Sequence, residues 1–120
     1  GEYEIRINGQ TLPKTFSNFT LGRKIELQGQ PETPQYQQAS RVADLVKERF
    51  EKALVPYRDL QAKMKSRRRE FGNEAPEVAA FRKTIQPQLD ELLALAEEYT
   101  EKIYSAAQPV AHRYEIRKVD

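Results

Sequence analysis

Residues 33 to 109 read TPQYQQASRVADLVKERFEKALVPYRDLQAKMKSRRREFGNEAPEVAAFRKTIQPQLDELLALAEEYTEKIYSAAQP, and the spacing of apolar residues within this stretch decides the fold. In its first half Tyr36, Ala39, Ala43, Val46, Phe50, Ala53, Tyr57, Leu60 and Met64 recur at alternating steps of three and four. That spacing keeps one face of a helix apolar. In its second half Val78, Phe81, Ile85, Leu89, Leu92, Ala96, Tyr99, Ile103 and Ala106 also recur at steps of three or four, with Val110 just beyond. Between the halves stands Phe71-Gly72-Asn73. Gly72 supplies the left-handed residue that stops a helix, and Asn73 is read as the cap of the next, with Pro76 in its first turn.

The two stripes predict their own partners. In an antiparallel hairpin, facing residues share one residue-number total. Met64 with Phe81, Leu60 with Ile85, Ala53 with Leu92, Val46 with Tyr99, Val42 with Ile103 and Ala39 with Ala106 all have the same one. Thr33 is placed to cap the first helix and Pro34 to begin it. Pro56 and Pro87 fall inside the helical pattern at nearly the same height. Each removes a backbone hydrogen bond, so they either kink the paired helices together or split each into two.

Outside this stretch the period changes to two. Tyr3, Ile5 and Ile7 alternate with Glu2, Glu4 and Arg6, a half-buried strand. Asn8-Gly9 offers a tight hairpin turn, Gln10 to Leu12 a short return strand, and Arg23 to Gln28 a further strand through Ile25 and Leu27. Lys14 to Gly22 reads as a loop anchored by Phe16, Phe19 and Leu21. Near the other end, Tyr114-Glu115-Ile116-Arg117 resembles Tyr3-Glu4-Ile5-Arg6 and is read as a strand beside it. The expected class is α+β: a long, coiled-coil-like hairpin of two antiparallel helices, kinked near Pro56 and Pro87, on a small antiparallel sheet formed by the N- and C-terminal segments. The chain, 1–120, reads as a single domain with a β-rich base over 1–32, the hairpin over 33–109 and a closing strand over 110–120.

Composition narrows the chemistry. With 38% hydrophobic and 32% charged residues and a net charge of +2, any electrostatic role rests on local clusters. The absence of cysteine excludes disulfides, thiolate nucleophiles and thiolate metal sites. No signal peptide or membrane-spanning run is visible, so the expected location is cytoplasmic or otherwise intracellular, or within a virion. Asn18-Phe19-Thr20 matches a glycosylation sequon, read as coincidence.

Charge divides the hairpin. From Tyr57 to Gln86, Arg58, Lys63, Lys65, Arg67, Arg68, Arg69, Arg82 and Lys83 outnumber Asp59, Glu70, Glu74 and Glu77. This tip has a narrow apolar stripe and lies roughly 50 Å from the base at 1.5 Å per residue. From Gln88 to Lys102 the balance reverses through Asp90, Glu91, Glu97, Glu98 and Glu101. Lys63, Lys65, Arg67, Arg68, Arg69, Arg82 and Lys83 are therefore candidates for contact with nucleic-acid phosphates or an acidic partner, set against a helix end whose cations merely complement the dipole. Leu45, Leu54, Val55, Leu93, Leu95 and Tyr104 fall off the main stripe and are candidates for self-association.

Catalytic motifs are lacking. His112 is the only histidine, and no motif ties it to Ser17, Ser40, Ser66 or Ser105. Glu97 and Glu101 sit one turn apart, yet the Glu-x-x-His pattern of carboxylate metal sites is missing. The expectation is a non-enzymatic assembly or adaptor protein, working through a protein partner or a homo-oligomer, with no metal, cofactor, membrane or small-molecule ligand. The alternative is a nucleic-acid-binding module that uses the basic tip.

Overall fold

A computed structural model describes every residue from Gly1 to Asp120. The class is α+β, with a four-stranded antiparallel sheet and two long helical stretches. The chain divides into two compact units, one formed by Gly1–Arg41 with Ala107–Asp120 and the other by Val42–Ala106. The division falls inside the first long helix, beyond the expected base boundary at Thr33.

The first unit is built on strand β1, Glu2–Ile7. Asn8 (φ 53°) and Gly9 (φ 82°) form the turn that returns the chain into β2, Gln10–Thr11, with Ile7 opposite Gln10. Both turn residues need positive φ, which Asn and Gly tolerate best. Strand β3, Phe16–Ser17, pairs with the start of β1. Ser17 then caps the short helix α1, Asn18–Leu21, its Oγ accepting from the Thr20 N–H at 3.1 Å. Strand β4, Tyr114–Lys118, takes the other edge of β1, with Glu4 opposite Arg117, Ile5 opposite Ile116 and Arg6 opposite Glu115.

Ile5, Ile7, Leu12 and Phe16 are buried as one cluster, with Leu21, Ile25 and Leu27 packed against it. Such side chains contribute about 1.5–3 kcal/mol each when fully buried. Arg23 to Gln28 is not a strand. Its alternation is real, but β1 already has partners on both edges, so the segment lays Ile25 and Leu27 on the core as irregular chain. Thr33 is wholly buried; its Oγ1 lies 2.8 Å from the Gln30 oxygen and accepts from the Tyr36 N–H at 3.2 Å. It caps helix α2, Pro34–Arg49, as the sequence predicts.

The second unit holds the rest of α2, a π-helical turn at Phe50–Leu54, helix α3 at Val55–Phe71 and the 31-residue helix α4 at Pro76–Ala106. Helical structure runs unbroken from Pro34 to Phe71, and α4 continues through Pro87. The two prolines are accommodated differently. A proline ring in a regular helix collides with the carbonyl four residues back, here that of Lys52. The turn before Pro56 is widened instead, with the Val55 N–H donating to the Phe50 oxygen five residues back. Pro87 sits in continuous α-helix.

The widened turn corrects the stripe read from the sequence. A π turn inserts one residue and rotates everything beyond it by about 100° relative to a regular helix. Before it, Leu45 is buried and Val42 and Arg49 are half-buried; Ala53 is buried within it, and after it Met64 is buried and Tyr57 and Leu60 half-buried. Val46 and Phe50, assigned to the seam by the spacing, are instead 50% and 47% exposed.

Met64, Val78 and Ile85 are buried together, with Leu60, Ala75, Phe81 and Leu89 packed on them. This cluster joins α3 to α4, and the narrow stripe expected at the tip is enough to close it. Gly72 ends α3 with its N–H on the Arg68 oxygen at 2.9 Å. Its φ of 91° and ψ of 152° lie in the extended region at positive φ that is essentially confined to glycine, not the left-handed helical region expected. Asn73 does not cap α4. The helix begins at Pro76, and the oxygen of Ala75 receives the N–H groups of Val78 and Ala79. Proline at the first helical position restricts the preceding residue to extended backbone, which makes Ala75 the cap.

Candidate interaction surfaces

The seven candidate cations all lie in the second unit and all are exposed. Lys63, Lys65, Arg67, Arg68 and Arg69 occupy the last turns of α3, and Arg82 and Lys83 an early turn of α4. They do not converge on one point. Arg68 and Arg82 border a groove of about 260 Å³ floored by Met64 and Ile85. Lys63 and Arg67 border a separate one of about 300 Å³ with Phe81. Arg67 has a packing role as well, its guanidinium lying 4.8 Å from the centre of the Phe81 ring. None of the seven forms an ion pair with a carboxylate within 4.0 Å. Their charge is therefore left to solvent or a partner.

The candidate self-association residues separate by burial. Leu45 is 2% exposed and packs within its own chain, so it offers no surface. Leu54, Val55 and Leu95 are half-buried. Leu93 and Tyr104 are exposed, at 47% and 68%. The rotation at the π turn adds Val46 and Phe50, which the apolar spacing assigns to the seam. A usable signal was present: Leu45, Arg49, Ala53 and Tyr57 stand at consecutive steps of four, a spacing that a regular helix cannot hold on one face.

In the first unit Tyr114, Ile116 and Val119, on β4 and just after it, are exposed at 50%, 59% and 47%, and Phe19, Tyr36 and Val110 are exposed elsewhere. Ile116 and Tyr114 line a groove of about 320 Å³ together with Leu21, Ile25 and Leu27. On the sheet, Arg6 and Glu115 approach to 3.8 Å and Arg117 and Glu4 to 3.9 Å. These pairs sit at the surface, mostly half-buried, and such pairs contribute about 0–1 kcal/mol each, so they fix register more than stability.

His112 sits where the chain enters β4. Its Nδ1 is 3.0 Å from Asn8 Nδ2, and its ring meets Tyr114 edge-on. Asn8 also accepts from the Arg113 N–H at 2.9 Å. The histidine thus helps hold the β1–β2 turn to β4. Ser17, the serine of the same sheet, is engaged with Thr20. No group of three or more acidic, histidine or cysteine side chains is arranged to hold a metal, and no helix is long and apolar enough to cross a membrane. The chain matches no family model, no curated protein and no solved structure.

Proposed function

We propose that the protein is a non-enzymatic assembly or adaptor protein that acts through protein–protein contacts and self-association. The observation that carries this reading is the set of large apolar side chains left outside each unit's core. Val46, Phe50 and Leu93 are exposed on one unit, and Tyr114, Ile116 and Val119 on the other. Exposed hydrophobics are the raw material of surfaces that meet another protein, and each unit carries several. On this reading α3 and α4 form a coiled-coil-like hairpin that presents side chains to a partner while the sheet joins copies of the chain. Light scattering at tens of micromolar is expected to give a mass above that of a single chain. A clean monomer there would overturn the self-association reading.

A second reading is a nucleic-acid module, favoured by the seven exposed and unpaired cations on α3 and α4. Contact would be with the phosphate backbone and steeply salt-dependent. Replacing Arg67, Arg68 and Arg69 with Gln is then expected to abolish DNA or RNA binding without changing the helical spectrum. No binding by the unmodified chain at low salt would dismiss it.

A further inference from the structure

The two edges of the ladder between β1 and β4 differ. Asn8 N–H donates to the Arg113 oxygen at 2.9 Å and Val119 N–H to the Glu2 oxygen at 3.0 Å. Hydrogen-bonded and non-bonded pairs alternate along an antiparallel ladder, so Glu4–Arg117 and Arg6–Glu115 are the bonded pairs between these ends. Ile5–Ile116 is a non-bonded pair. The N–H and oxygen of Ile116, and those of Tyr114 and Lys118, therefore point away from β1. No strand pairs with β4 on that side, and no other backbone hydrogen bond uses these groups.

The sequence at this free edge is complementary to itself. Inside the chain, Glu-Ile-Arg of β1 already lies antiparallel to Glu-Ile-Arg of β4, glutamate opposite arginine and isoleucine opposite isoleucine. The same arrangement is available between β4 strands of two copies. We propose that β4 is a homodimer edge, pairing antiparallel with β4 of a second copy about a twofold axis at Ile116. This rests on the self-association reading above and names its surface.

In that register Ile116 faces Ile116 of the second copy as a bonded pair, and Tyr114 faces its Lys118. Glu115 faces its Arg117, and the reverse. The charges across the joined sheet then run Arg6, Glu115, second-copy Arg117, second-copy Glu4, alternating in sign throughout. Recentring the axis on Glu115 sets glutamate against glutamate and arginine against arginine, and on Arg117 arginine against arginine, both unfavourable. Directly opposed residues project from the same face of a sheet, so Ile116 shares the face of Ile5 and Ile7. Its copies meet there and carry the groove lined by Leu21, Ile25 and Leu27 across the axis. An exposed strand edge is a ready template for this pairing.

The test uses the full chain and sedimentation equilibrium at tens of micromolar. The wild type is expected to be a dimer. Ile116→Pro removes an N–H that β1 does not use, so it is expected to weaken dimerisation at least tenfold with an unchanged circular dichroism spectrum. Independently, Lys118→Cys carrying a nitroxide gives one label per chain, because no other cysteine is present. The two Lys118 Cα atoms should lie about 14 Å apart from the strand rise, giving clear dipolar broadening in the dimer. A dimer that survives Ile116→Pro, or one whose labels show no broadening, overturns the β4 edge and leaves self-association standing. A monomeric wild type overturns both.

Discussion

Arg49 and Ala96 tie the end of α2 to the middle of α4: the Arg49 Nε–H donates to the Ala96 oxygen at 3.2 Å. Thr100 Oγ1 donates to the same oxygen at 2.9 Å. A mid-helix carbonyl of α4 thus accepts from two side chains, one of them on the residue immediately before the π turn. Arg49→Ala is expected to cost about 1.5 kcal/mol, the low end for a charged hydrogen bond. Arg49→Lys should recover little, since an ammonium does not reproduce the guanidinium geometry. Urea unfolding of the three proteins checks both statements.

The π turn and Pro56 are coupled, and a mutant cycle can measure the coupling. Deleting Lys52 should regularise the helix while leaving Leu45 and Met64 facing inward. With Pro56 still present, the deletion is expected to cost about 3 kcal/mol, the usual penalty of proline inside a regular helix. Combined with Pro56→Ala, most of that loss should return. Additive effects in thermal melts would mean that the proline is not what the widened turn accommodates.

Gly72 is strained for any residue with a Cβ. Open space surrounds it, so the cost of Gly72→Ala is conformational alone. It is expected to destabilise by about 1–3 kcal/mol through the φ and ψ it must adopt. The D-alanine analogue, introduced by ligation, favours positive φ and should retain most of the stability.

Thr33 is the one polar residue buried in the chain, and its hydroxyl both caps α2 and meets the preceding loop. Thr33→Val keeps the volume but orphans the Tyr36 N–H, so a loss of about 1–2 kcal/mol is expected. Thr33→Ser should be the milder change. Equal losses for both would show that shape matters there and the hydroxyl does not.

The β1 strand, its Asn8-Gly9 turn and the partner strand at Tyr114 were legible because period-two alternation and turn chemistry are local signals. Thr33 and Pro34 were legible for the same reason. The phase of α2 was carried only by the steps of four through Leu45, Arg49, Ala53 and Tyr57, against a longer apolar stripe, because it depends on Pro56, a residue in the following helix that acts on the turn before it. Arg23 to Gln28 alternates as a strand does, yet pairing is decided by which edges of β1 are vacant, and that is a property of the whole sheet. The basic cluster could be listed from the sequence, but its division between two grooves follows from the packing of α3 on α4. The burial of Leu45 was hidden by the same phase error that placed Phe50 in the seam.

The bonded pair of Glu2 with Val119 puts both ends of the described chain at one end of the β1–β4 ladder. Tension applied through Gly1 and Asp120 therefore loads that ladder as a zip and not in shear. Its hydrogen bonds would yield one pair at a time, starting at Glu2 and ending at the Asn8 turn, at far lower force than a sheared sheet of equal length. The first unit would therefore open from its strand ends inward.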